Sequence, residues 1–298
     1  MNRATDTIHR PRALMIGFLA PAVLLFTVFF IYPLMRVFWI SLHQGNVTSE
    51  TMTWVGLRNY KDLLNDQIFS MVLWHNAQIV IAGGLATLVL ALGTAVALTK
   101  IKRGRSFFRV VFLFPNIMSA VATAILWSFI FNPSFGILNG LLRAVGLEEH
   151  TRAWLGEPVV ALWALVFVHV WTIAGFYIVL FYAGLLRIPA DYREAAQIDG
   201  ASGWQEFRHI TLPLLSDILQ VATVYVIINS VNIFALVYLF NEGRPARYNG
   251  VLLTYMHEQA FTNSEFGYAC AIGVVTLITV LVCAGLVNLM FKRDTVEL

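Results

Sequence analysis

Residues 159–186 read VVALWALVFVHVWTIAGFYIVLFYAGLL, a stretch without Lys, Arg, Asp or Glu in which His169 is the one ionisable side chain apart from the tyrosines. A helix rises about 1.5 Å per residue and a bilayer core is roughly 30 Å thick, so ~20 apolar residues cross it. This run is long enough. Outward from it, five more stretches pass the same test: 13–35, 77–99, 110–131, 218–241 and 266–291. Together the six make up about half of the chain, which predicts an all-α, polytopic membrane protein with six transmembrane helices in one domain, 1–298. A β-barrel would show short alternating segments instead. The first run is too long for the apolar core of a signal peptide and reads as a membrane helix.

The composition agrees. Of 298 residues 58% are apolar or aromatic and only 12% charged, too few charges for a water-soluble surface and too much hydropathy for disorder. A net charge of +3, scattered in short clusters, gives no footprint for a nucleic acid partner. Cys270 and Cys283 both lie in the last apolar run and read as buried thiols. With the N-terminus inside, thirteen Lys and Arg fall on the inner side against seven on the outer, and the run Lys100–Arg105 weighs most. Both termini and the loop 187–212 are then expected in the cytosol. There is no G-x-x-x-x-G-K-[ST] and no metal-ligand spacing, so neither a nucleotide site nor a metal site is expected in this chain, and no catalytic residue.

The loop differs from its surroundings. Pro189 stands where it can start a helix over 190–199, Gly200 suits a left-handed turn, and Ser202 is placed to cap a second helix carrying Trp204, Phe207 and Ile210 on one face. Ala195 and Ala196 permit close approach beside charged Arg193 and Glu194. Such a helix either docks on a protein or lies on lipid headgroups. The acids Asp191, Glu194, Asp199 and Glu206 weaken the lipid reading.

Glu194-Ala195-Ala196, three residues, Gly200, nine residues, Ile210, one residue and Leu212-Pro213 resemble the signature loop of ABC importer permeases. Leu19-Ala-Pro21 with Tyr32-Pro33, 55–60 (VGLRNY), 131–139 (FNPSFGILN) and 241–245 (NEGRP) resemble the carbohydrate branch and its maltose-type first permease, in order over most of the chain. In the last of these a second glycine often precedes the proline in the family and is absent here. The resemblance implies a type I importer permease fold in a bacterial or archaeal cytoplasmic membrane. It implies a coupling helix contacting a separate ATPase, with Arg193, Glu194, Ala195, Ala196, Asp199 and Gly200 as its residues. It also implies a second homologous permease subunit, two ATP-binding subunits that hold ATP and Mg, and an external solute-binding protein, with no cofactor in this chain.

Polar groups deep in lipid mark a bundle interior or a solute path. Tyr225, Asn229 and Asn232 fall on one face of the fifth span at i, i+4 and i+7, beside Ser230. His169, Thr172 and Phe176 offer the same in the fourth, and Asn116 follows Pro115 in the third. Amides and a histidine could meet sugar hydroxyls, or they could bond one helix to another. His75, Asn76 and Gln78 read as interfacial. No Lys or Arg lies near mid-depth, which favours a neutral carbohydrate over an anionic solute such as a sugar phosphate; a permease for glycerol phosphate-like or other small polar solutes is the alternative. A stand-alone secondary transporter is the rival; it would want intramembrane acids, and Asp217 lies only at the edge of a span.

Overall fold

The computed structural model describes residues 12–45, 52–101, 103–241 and 249–291. The stretch 242–245 of the last family-like motif, Lys102 and both chain ends lie outside them. Five helices are long and apolar enough to cross a membrane, and a sixth crossing exists if one sharply bent helix pair is counted as a single span.

α1 is a continuous helix in three parts, Arg12–Phe26, a π-turn at Thr27–Ile31, and Tyr32–Ser41. It runs further than the expected 13–35. A two-residue hairpin (β1 His43–Gln44, β2 Thr53–Trp54) and α2 (Arg58–Leu64) lead to α3 (Gln67–Lys100). α3 starts ten residues before the apolar run because Asp66 caps it, accepting a hydrogen bond from Ile68 N at 2.7 Å.

The expected span 110–131 is the main departure. It is two helices, α4 (Arg105–Ile117) and α5 (Ala120–Ile130), bent by 97°. Pro115 removes a backbone donor near the end of α4, and Ser119 offers a new start, accepting from Ala122 N at 3.2 Å. At about 1.5 Å per residue neither half crosses the core alone.

α6 (Ile137–Ala144) follows, then the central helix α7 (Pro158–Leu185), begun by Pro158 at its first turn. α7 is buried on most sides against α3 and α4. Without a hydrophobic effect between helices in lipid, close approach of small residues has to hold such contacts. Gly175 shows how close: a Cβ there would lie 2.0 Å from the Phe112 carbonyl oxygen.

The chain then forms α8 (Ala190–Ile198) and a second short helical segment, α9 (Gly203–Glu206), continued by a π-turn. The fifth span is α10 (Ser216–Val231) and, after a break at Asn232 and Ile233, α11 (Phe234–Phe240). α12 (Leu252–His257) precedes the last span, α13 (Phe266–Met290).

Residues 187–215 define one end of the bundle. At the far end α3, α12 and α13 are clamped by one carboxylate: Tyr255 Oη and Tyr268 Oη donate to Asp66 Oδ2 at 2.5 and 2.6 Å. His75 and Asn76 belong to the same junction rather than to an interface with lipid headgroups. His75 Nδ1 donates to Gly250 O (2.9 Å), and Asn76 Oδ1 accepts from Leu252 N (2.7 Å). Burial works against the Asp66 charge, but the hydrogen bonds from Tyr255, Tyr268, Ile68 and Phe69 outweigh it and hold its pKa below 3.8. A depressed carboxyl stabilises the fold above its unfolded pKa and loses that contribution as the pH falls through the folded value. Asp66→Asn is therefore expected to lower thermal stability at neutral pH by about 1–2 kcal/mol and to flatten the acid limb below about pH 4, read by melting in detergent across pH. An unchanged limb would remove the clamp from the account.

Candidate functional site

The loop builds a rigid handle from local rules. Gly200 takes φ +75°, Gly200 N donates to Gln197 O (3.1 Å) and Ala201 N to Ala196 O (2.9 Å), the paired bonds of a Schellman end. Ser202 and Gln205 then exchange side-chain to backbone hydrogen bonds, a capping box. Trp204 and Phe207 stack, 5.6 Å between ring centres.

Two of the six expected coupling residues point into the chain. Ala196 is buried against its own fold. Arg193 ties the handle together: it donates to Leu185 O at the end of α7 (3.4 Å) and pairs with Glu206 across the turn (3.8 Å). Glu194, Ala195 and Asp199 face outward with Gly200. Sequence reasoning passed over Tyr192 and Ile198, which share the outward side; Ile198 is 86% exposed. An isoleucine on a short helix otherwise rich in charge was the available signal.

The polar residues of the spans divide in the same way. His169 and Ser230 are both buried and hydrogen-bond each other across α7 and α10 at 3.1 Å. Here each is the other's partner, an interhelical tie. Thr172 bonds back to Val168 O (2.8 Å). The remaining residues of the two helices gather on one open face. The Phe176 and Tyr225 rings lie 5.6 Å apart at 30°, both partly exposed. Asn229 Nδ2 donates to Tyr177 Oη (3.2 Å) and to Tyr225 O (3.0 Å), which aims its amide. Asn232 is exposed at the helix break and donates to Ile228 O (2.9 Å). Asn116 is exposed near the end of α4, next to the bend. Tyr177 was missed by sequence reasoning because a fully buried tyrosine reads as packing; its hydroxyl orients Asn229.

A face with aromatic rings beside oriented amides can bind a hydroxylated ring: the rings cover its apolar sides and the amides meet its hydroxyls. Among the described residues no group of His, Cys, Asp and Glu could hold a metal ion.

Helical spans around a polar face, with a rigid handle at one end, define a membrane permease. The chain belongs to the family of binding-protein-dependent transport system inner membrane components, whose family model matches residues 87–293. It is 34% identical, over 92% of its length and 81% of the other's, to the diacetylchitobiose uptake system permease protein NgcF of Streptomyces coelicolor. It is 33% identical, over 88% of each chain, to the trehalose/maltose transport system permease protein MalF of Thermococcus litoralis. Its fold matches a chain of a bacterial ABC transporter that imports the acidic polysaccharide alginate, with a TM-score of 0.81, 22% identity, and 96% and 97% of the two chains covered.

Proposed function

We propose that the chain is the membrane permease of an ATP-binding-cassette importer for a neutral carbohydrate. An external binding protein delivers the solute, a second permease completes the path, and two ATPase subunits drive it. The handle is the observation that carries this reading. Its Schellman turn, capping box and Arg193 pairing make 190–206 stiff, and a stiff element can transmit motion from a partner to the spans. The outward side, with Glu194, Ala195 and Ile198, is the surface offered to an ATPase.

In this reading the loop end faces the cytosol, in keeping with the Lys and Arg gathered there. ATP and Mg belong to the partner. Closure of the ATPase pair moves the handles and turns the polar face from one side of the membrane to the other. The carbohydrate reading rests on Phe176, Tyr225, Asn229 and Asn232 and on the sugar uptake systems to which the two relatives belong. The absence of a mid-depth cation from the spans supports a neutral solute.

Tyr225→Ala and Asn229→Ala are expected to leave assembly intact and to raise the solute concentration that half-stimulates ATP hydrolysis by roughly tenfold each, about one buried hydrogen bond or ring contact. The measurement uses the transporter reconstituted with its binding protein and titrated with maltose, trehalose and diacetylchitobiose. His169→Ala is expected to act on stability instead. Normal stimulation of both face variants over the full titration would take the face out of the solute path.

A further inference from the structure

The handle meets the spans over a pocket. After α9 the π-turn Phe207–Thr211 leads through Leu212 and Pro213 into α10, and the last turn of α13 closes against this corner. The pocket encloses about 300 Å³ and has two sides. Arg208 and Ser216 supply the polar one, and Leu212, Leu219, Met290 and Phe291 the apolar one. Gln220 and Asn288, close in sequence to the lining, tie α10 to α13: Gln220 Nε2 donates to Asn288 Oδ1 at 3.0 Å.

Two observations say what fits there. The first is charge. Arg208 lines the pocket itself, is exposed, and has no ion pair or hydrogen bond among the described residues; Glu206, two residues before it, is taken by Arg193 (3.8 Å). The Ser216 hydroxyl is equally unpartnered among them, and no acidic residue lines the pocket. A free guanidinium beside a free hydroxyl suits a phosphate, and a headgroup amine would find no carboxylate in the lining. Asp191, Glu194 and Asp199, whose charge disfavours headgroups along α8, do not line it either. The second observation is depth. α10 starts at Ser216 and α13 ends at Met290, so both spans terminate at the pocket. Its apolar side continues the exposed surface of α13 formed by Leu286, Leu289 and Met290. The level at which spans end is the level of the lipid headgroups.

We propose that this pocket binds an anionic glycerophospholipid, its phosphate on Arg208 and Ser216 and the first carbons of an acyl chain on Leu219 and Met290. The lining comes from the handle's π-turn and from two spans, so the bound lipid braces the handle against α10 and α13, and the lipid composition of that leaflet tunes how the handle transmits motion. Only the choice of the cytosolic leaflet rests on the proposed function.

The test uses the full-length chain in phosphatidylcholine nanodiscs with a small fraction of phosphatidylglycerol carrying a diazirine near the start of one acyl chain. After irradiation, label is expected to concentrate in peptides spanning 208–219 and in the peptide that contains Met290, and a phosphatidylcholine probe of the same design is expected to label them about fivefold less. Arg208→Gln, an exposed change that spares the fold, is expected to cut the phosphatidylglycerol label about fivefold, the worth of one basic residue at an anionic surface, while Arg208→Lys keeps most of it. Met290→Trp narrows the pocket and is expected to lower the label as well. Leu286→Trp, exposed on the same helix and outside the pocket, is the control and is expected to leave it unchanged. Equal labelling by the two probes, or label unchanged in both Arg208→Gln and Met290→Trp, would overturn the site. Displacement of the label by excess inorganic phosphate would assign the pocket to a soluble anion, and loss of label on assembly would assign it to a protein partner; either result overturns the proposal, and label that survives both supports it. Recovery of an ATPase with the wild-type chain in the same preparation tests the functional reading separately.

Discussion

Glu194→Lys is expected to leave the chain folded and inserted while the ATPase no longer copurifies with it and uptake falls to background. Glu194 lies on the outward side of α8 beside Ala195 and Ile198, is exposed, and takes no part in the ties that Arg193 and Ala196 make within the chain. Reversing it costs the fold little. At an interface the effect is different, because removing one partner of a buried charged pair typically costs about 2–5 kcal/mol and reversal adds repulsion. A loss of about 3 kcal/mol is already more than a hundredfold in affinity. Pull-down of the ATPase on the tagged permease, with melting of the permease alone as control, reads both halves. Arg193→Ala supplies the contrast. It breaks the handle's own tie to Leu185 and Glu206, so it is expected to weaken coupling while much of the binding remains. Full ATPase recovery with Glu194→Lys would end the docking role of this surface.

Gly175→Val is expected to destabilise the chain by about 3 kcal/mol or more and to prevent its recovery as a monodisperse species. The reason is a backbone contact. The Cβ of any other residue would lie 2.0 Å from the Phe112 carbonyl oxygen and 2.7 Å from its carbon, so α4 has to move bodily. Gly93, in α3, is the matched control: nothing lies within 4 Å of a Cβ built there, and Gly93→Val is expected to stay within about 0.5 kcal/mol. Size-exclusion chromatography and thermal melting in one detergent compare the two. Equal behaviour would show that α4 and α7 are not in contact as described. The site is involved as well, because Gly175 precedes Phe176. A shifted α4 would turn α7 and misplace the ring that faces Tyr225.

The handle was legible residue by residue because its geometry is local. Gly200 in the left-handed region and Ser202 as a cap are choices that a few neighbouring residues settle among themselves. The open face of the fifth span was legible too, since Tyr225, Asn229 and Asn232 share a side by spacing alone. His169 and Ser230 were not. Each is a polar residue in an apolar run, and only their approach across α7 and α10 shows that they satisfy each other. Asp66 gave no sign that it joins three helices, because Tyr255 and Tyr268 lie about 190 and 200 residues away in the chain.

By itself the sequence determined the solvent, the approximate spans and the handle, since hydropathy, turn chemistry and capping act over a few residues. Tertiary structure alone decided the 97° bend between α4 and α5, the inward turn of Ala196 and Arg193, and the contact of Gly175 with Phe112. The physical reason is the membrane. In water a helix announces its buried side by being apolar there and polar opposite, but in lipid both sides are apolar. Which faces meet is then settled by shape and by a few hydrogen bonds between distant residues, which periodicity along the chain does not record.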